Sequence, residues 1–222
     1  IRSIEIPVQN LATVSTTHLG MFEKLGVLDH LKAIEAAKYV SSSTIRDQVD
    51  QGKIAELAPS GMLNPELALA NGVEVLLGVG FPNSQNESYR ILENAGVPVV
   101  LNADWQEKSL LGRAEWIKLV AALLNKEAVA NRIFQEIEAE YNAILSTLDQ
   151  VEQGPLTITG LAQGDAWYVA GANSFAYELL KLAKVQYPWT NNDKTGSLRL
   201  DFETVYEQGL KADYWMVPST AK

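Results

Sequence analysis

The chain has 222 residues, 47% of them hydrophobic and 20% charged, with a formal net charge of −9. That is enough material for one large domain or for two lobes of about 100 residues each. The acidic balance argues against nucleic acid or an anionic membrane surface as the main partner, since both require clustered Lys and Arg. No apolar run approaches the roughly 18 residues that a membrane-spanning helix needs.

In chain order, Ser3–Pro7 (SIEIP) alternates like a short strand stopped by proline. STTHLGMFEKLG follows as a helix, with Ser15 or Thr16 as cap and Gly26 as terminator. Lys38–Val40 reads as a second short strand before a run of serines. Asn64 and Pro65 supply a cap and a first-turn proline ahead of ELALA. VEVLLGV is apolar on both faces, as buried parallel strands are. NESYRILENAG is an amphipathic helix closed by Gly96, and VPVVLN is the next strand. Strand and helix alternating through short connections indicate a parallel α/β lobe.

From Arg113 to about Asp149 that rhythm stops. RAEWIKLVAALLN reads as one helix, and KEAVANRIFQEIEAEYNAILSTLDQ as a second or its continuation. Val129, Ile133, Ile137, Tyr141, Ile144, Leu145 and Leu148 recur at spacings of three and four, which makes one apolar stripe. About 24 helical residues span roughly 36 Å, the width of a small lobe. Gly154 and Pro155 end the helix, LTITGL restarts the strand signal, SFAYELLKLA is a helix and DYWMV a closing strand.

The expected fold class is therefore α/β: two Rossmann-like lobes with central, mainly parallel sheets, joined by one long helix. The boundaries fall at residues 1–125 for the first lobe, 126–150 for the helix and 151–222 for the second lobe. A lobe that stops just after a strand lacks that strand's outgoing helix, so the second is expected to be truncated. The two lobes also share a pattern. GMLNPELALANGVEVLL and GSLRLDFETVYEQGLKADYW each place a glutamate, Glu66 or Glu203, at a helix start, followed by a turn, an acid and a hydrophobic strand. The dipole of a helix favours an acid in its first turn by about 0.3–1 kcal/mol, which alone accounts for either residue.

Cysteine is absent and only His18 and His30 are present. Disulfides, thiolate chemistry and cysteine or multi-histidine metal sites are thereby excluded, and both histidines read as satisfied or surface groups. No metal site is expected. The opening at Ile1 rather than Met is expected of a processed or trimmed N-terminus, so a missing signal peptide carries no weight. No catalytic residues emerge. The nearest phosphate-loop string, GVGFPN, has Gly78 and Gly80 but Asn83 where a third glycine belongs, and neither a Walker A string nor a G-x-S-x-G elbow occurs. A two-lobed nucleotide-sugar or NAD-type enzyme is the weaker alternative.

The phrases MFEKLGVLDHLKAI, LNPELALANGVEVLL, ILENAGVPVVLNADWQEKSLLGRAEWIKLVAALLNKE, WYVAGANSFAYELLKLA and TGSLRLDFETVYEQGLKADYW, in this order, resemble extracytoplasmic substrate-binding proteins of ABC importers. The group resembled carries ferric siderophores, haem and cobalamin. The resemblance implies a ligand held in a cleft between two lobes bridged by one long helix, with little closure. It also implies that Glu66 and Glu203 dock onto arginines of the membrane permease. The expected protein is a monomeric carrier, periplasmic or a cell-surface lipoprotein. Its cargo is expected to be an Fe(III)-siderophore, with haem, cobalamin or another metal complex as the alternative. Such a chelate brings its own iron ligands, so the protein itself needs no cofactor.

Ligand sites in α/β proteins form in loops at the carboxyl ends of strands. These loops carry Phe81, Trp105, Trp167 and Tyr168, flat apolar groups suited to a bulky chelate. Arg113 and Arg199 suit its anionic oxygens, and Ser42 and Ser60 occupy positions plausible for the family. The alternative for Trp105 is packing inside a lobe, and for Arg113 a capping or ion-paired place at a helix start.

Overall fold

The structure, a computed structural model, describes residues 3–80 and 87–217. It contains two compact units. The first comprises the residues up to Asp104 together with Glu115–Gln135, and the second Trp105–Ala114 together with the chain from Glu136 onward.

The first unit is built on a five-stranded sheet of β1 (Leu11–Thr13), β2 (Leu31–Ile34), β3 (Ala55–Glu56), β4 (Val75–Val79) and β5 (Val99–Asn102), in the spatial order β3-β2-β1-β4-β5. Every pairing is parallel. Both faces are covered, so successive residues enter different cores. Leu11, Leu31, Ile34, Val75 and Leu77 pack on one side with Leu19 and Phe22 of α1 (Thr16–Leu25) and Ile45 of α2 (Ser43–Asp50). Ile117 and Val120 of α6 (Ile117–Leu123) join that side. Ala12, Ala33 and Leu76 pack on the other with Ala68 of α3 (Pro65–Ala70) and Leu92 of α4 (Glu87–Asn94). Such a sheet cannot show polar alternation, which is why VEVLLGV reads as a continuous apolar run. The order reverses between β1 and β4, the place where open α/β sheets bind ligands.

Several local expectations hold. Ser15 caps α1 through its hydroxyl and Gly26 ends it at φ 68°. Asn64 caps α3, with Pro65 in its first turn. Others differ. Ser3–Pro7 forms no strand, and the first strand is Leu11–Thr13, too short and too evenly buried to show a period. Lys38–Val40 lies on a 3-10 turn, with exposed Tyr39, while the strand sits upstream at Leu31–Ile34. RAEWIKLVAALLN is two helices, α5 (Leu110–Glu115) and α6, because α5 groups mainly with the second unit while the apolar residues of α6 enter the first core.

Helix α7 (Glu127–Leu148) runs 22 residues without interruption. Only Ala130 on it is fully buried; its apolar stripe is half-buried at Val129 and Ile133 and open at Ile137 and Ile144.

The second unit splits its strands. β6 (Thr157–Thr159) pairs in parallel with β10 (Tyr214–Met216), whereas β7 (Leu161–Gln163), β8 (Ala166–Ala170) and β9 (Ser197–Leu200) form an antiparallel sheet. The antiparallel part follows from the tight β7–β8 hairpin, which joins neighbouring strands through Gly164 and Asp165. Ile158, Trp167, Val169 and Val205 form the core, the last from α9 (Phe202–Gly209), and α8 (Phe175–Leu182) completes the unit.

Candidate functional site

In the first unit, the carboxyl end of the sheet is polar below its surface. Thr13 and His18 are fully buried and joined, Thr13 Oγ1 to His18 Nδ1, at 2.6 Å. Burial holds the His18 imidazole down to about 4, against a smaller opposing pull from the Asp104 carboxylate. Asn102, also fully buried, accepts the Asp104 NH at 2.8 Å and so starts the 3-10 turn Asp104–Gln106. Among the described residues His18 Nε2 and Asn102 Nδ2 have no hydrogen-bond partner. His18 thus differs from the satisfied or surface group expected of it, whereas His30 is satisfied by the Val8 carbonyl at 2.9 Å. No group of three or more His, Cys, Asp or Glu able to hold a metal occurs among the described residues.

The structure separates the expected ligand residues by environment. Phe81 lies outside the described residues. Ser42 caps α2 and donates to the Glu23 carboxylate at 2.6 Å, so its hydroxyl is engaged on both sides. Ser60 is exposed, in the turn between β3 and α3. Trp105 is partly exposed on its 3-10 turn.

Arg113 is half-buried in the second unit, donating to the carbonyls of Glu107 at 3.1 Å and Trp105 at 3.2 Å. Its guanidinium carbon lies 3.7 Å from the Phe175 ring centroid. These contacts pin the stretch that begins at Trp105 onto the start of α8 and leave part of the fork for other work.

Trp167 and Tyr168 are adjacent on β8 and therefore face opposite ways. Trp167 is 8% exposed, donates from its indole to the Thr159 carbonyl at 3.0 Å, and lies beside the rings of Trp215 and Phe202. Tyr168 is 36% exposed, and Arg199 stands directly opposite it on β9. Directly opposed residues put their side chains on one face. An exposed ion pair with Asp165, at 3.3 Å, joins Arg199 to the same region. Tyr168 and Arg199 thus place aromatic area and a cation side by side, which neither residue announces in the sequence.

Glu66 and Glu203 are both exposed, and among the described residues neither carboxylate has a hydrogen-bond or ion-pair partner. Each is the second residue of its helix, two positions after the capping Asn64 or Asp201.

The first unit thus carries a doubly wound parallel sheet with a buried polar cluster at its carboxyl end, and the second an α/β unit with Tyr168 and Arg199 on one exposed face. The profile of the periplasmic binding protein family matches residues 11–221, and the chain belongs to that family. It is 26% identical, over 98% of its length, to an uncharacterized lipoprotein of Methanocaldococcus jannaschii, of which it covers 54%. The chain thus spans about half the length of the curated relatives it matches. Its fold is similar to that of a periplasmic haem-binding protein of Vibrio cholerae, with TM-score 0.72, 18% identity and coverage of 94% of this chain and 76% of that one. It is also similar to a structure from an ABC-type Fe3+-hydroxamate transport system of Saccharomonospora viridis, with TM-score 0.67, 17% identity and coverage of 97% and 76%.

Proposed function

We propose that the protein is the extracytoplasmic carrier of an ABC importer, that its cargo is a ferric siderophore, and that it performs no catalysis. The observation that carries the cargo reading is the exposed Tyr168–Arg199 pair, an aromatic surface beside a cation whose exposed ion pair with Asp165 the anionic oxygens of a chelate can replace. The family supports the carrier role, and the haem and Fe3+-hydroxamate neighbours support an iron-containing complex. The lipoprotein relative supports a place outside the cytoplasm, and no helix among the described residues is long and apolar enough to cross a membrane. Haem is the second reading, favoured by the same aromatic surface. The unpaired Glu66 and Glu203 are the docking acids for the permease.

The test is a panel of ferric hydroxamates, ferric catecholates, haem and cobalamin, read by tryptophan quenching and thermal shift. A ligand at 100 times its Kd stabilises the protein by about 2.7 kcal/mol, which a melt detects readily. Response to a ferric siderophore supports the cargo. Response to haem or cobalamin alone replaces it, and silence across the panel rejects the carrier reading.

A further inference from the structure

The polar cluster at the carboxyl end of the first unit's sheet leaves two buried atoms over, and they are chemically complementary. Thr13 stands opposite Leu77 and Asn102 opposite Val79, so both lie at that end of the sheet with β4 between them. His18 joins them from the first turn of α1. Solvent reaches none of the three, since Thr13 is 1% exposed and His18 and Asn102 are 0% exposed.

The surrounding hydrogen bonds fix what each leftover atom can do. Asn102 Oδ1 accepts the Asp104 NH at 2.8 Å, which sets the amide and leaves Nδ2 as a donor. Thr13 Oγ1 lies 2.6 Å from His18 Nδ1, accepts the Ser15 NH at 3.4 Å and reaches the Leu77 carbonyl at 3.3 Å. A hydroxyl has one proton and a carbonyl can only accept. All three contacts are satisfied when Thr13 donates to Leu77 and His18 Nδ1–H donates to Thr13. Burial keeps the imidazole neutral, so Nε2 then carries a bare lone pair and is an acceptor.

One buried donor and one buried acceptor select the ligand. An anion would face the Nε2 lone pair, and the Asp104 carboxylate already acts on the same imidazole. A metal ion or an ammonium group would face the Asn102 N–H groups, and no group of three or more His, Cys, Asp or Glu able to hold a metal occurs among the described residues. Water accepts from the amide and donates to the imidazole, and its second proton suits Asp104, itself only 8% exposed. Internal waters typically make about three such bonds to buried polar groups that the protein does not satisfy.

We propose that a single internal water joins Asn102 Nδ2 to His18 Nε2, and that through it His18 and Asn102 act as positioning residues for the turn Asp104–Gln106, which carries Trp105. Asn102 holds the first NH of that turn with one end of its amide and the water with the other, so fixing the water fixes the amide plane. His18 is tied to β1 by Thr13 and passes this hold across to the end of β5. The water site stands whatever the cargo is.

The experiment is NMR of the wild-type chain labelled with 15N, at neutral pH. His18 should show a neutral ring with its proton on Nδ1, and its Nε2 resonance should be displaced from the bare lone-pair position toward the hydrogen-bonded one. The side-chain NH2 of Asn102 should show a nuclear Overhauser effect of the sign given by a long-lived internal water. A proton on Nε2 overturns the bridge, because two donors would then converge. So does a bare Nε2 resonance, or a direct contact of Asn102 with His18 and no water signal. For the positioning role, His18→Leu should lose the water signal and speed hydrogen exchange of the Asp104 amide by roughly tenfold. His18→Gln, whose amide oxygen reaches the same place, should keep the signal and recover part of the protection. Unchanged Asp104 exchange in His18→Leu overturns the positioning role. Equal loss of protection in both variants assigns His18 to packing alone, and the wild-type spectrum and His18→Gln remain decisive if His18→Leu does not fold.

Discussion

Glu74 and Asp213 each stand directly before a strand, β4 and β10, and each carboxylate accepts backbone NH groups just ahead of the neighbouring parallel strand. Glu74 takes those of Gln9 at 2.8 Å and Asn10 at 3.3 Å, and Asp213 takes that of Leu156 at 2.9 Å. In return, the NH of each acid donates to the carbonyl of Asn10 or Leu156, at 2.9 and 2.8 Å. The acid that follows each glutamate-bearing helix in the sequence is thus a strand-end clamp, fixing where β4 meets β1 and where β10 meets β6. Asp213→Ala should cost about 1 kcal/mol, the worth of a hydrogen bond at an exposed site, and Asp213→Asn, which keeps an acceptor, less. Glu74→Ala should likewise lose more than Glu74→Gln in urea titrations; equal loss from both members of a pair would reject the clamp.

His18 makes stability depend on pH. Its imidazole titrates near 6.5 when unfolded but is held to about 4 in the fold, so the unfolded chain binds the extra proton between those values. The native state should be unaffected above pH 7, lose stability as pH falls from 6.5 toward 4, and lose no more from this group below that. The total is roughly 3 kcal/mol, from a shift of about two and a half units at 1.36 kcal/mol each. His18→Gln cannot titrate and should flatten that segment relative to wild type; identical slopes in urea titrations at successive pH values would remove His18 as the cause.

Neighbours on β8 should respond in opposite ways. Trp167→Ala empties the core of the second unit and strands the Thr159 carbonyl, at about 3–5 kcal/mol by circular dichroism. Tyr168→Ala should change stability by less than about 1 kcal/mol and instead weaken chelate binding by roughly tenfold. A large stability loss from Tyr168→Ala would return that ring to the core.

Gly160 bends the chain between β6 and β7 at φ 90°, and a Cβ there would fall on the Tyr168 carbonyl oxygen. Gly160→Ala should therefore cost about 3 kcal/mol or prevent folding of the second unit. Gly52, at φ 69° with open space around it, supplies the control, at about 1 kcal/mol for alanine. Similar midpoints for the two variants would show that the close approach to β8 is relieved by movement.

Glu66→Ala with Glu203→Ala should abolish chelate uptake in cells and leave chelate affinity in solution unchanged. Each position should give up only the dipole contribution of about 0.3–1 kcal/mol in stability. Loss of chelate affinity would mean that these acids serve the ligand instead.

Much of this was legible in one dimension because the signals are local. A cap, a first-turn proline and a terminating glycine need only their own few residues, so α1 and α3 are bounded correctly by Ser15, Gly26, Asn64 and Pro65. The long helix shows itself by its length and its lack of glycine and proline, and β4 by its doubly apolar run. The repeated glutamate helices, with the acid after each, are likewise plain in the text of the chain.

What the sequence could not decide is set by partners distant along it. β1 and β3 are three and two residues long and exist through their neighbours' hydrogen bonds, so no period marks them. Trp167 and Tyr168 are equivalent as adjacent aromatics; only the sheet sends one into the core and the other to face Arg199. His18 looked like an ordinary helix residue until the β-sheet enclosed it, since burial is a property of the packed unit. The chain by itself determined where the capped helices α1 and α3 start, which residues are acid and which are apolar. The tertiary structure decided which of them meet, because a contact between residues far apart along the chain depends on the whole fold that closes it.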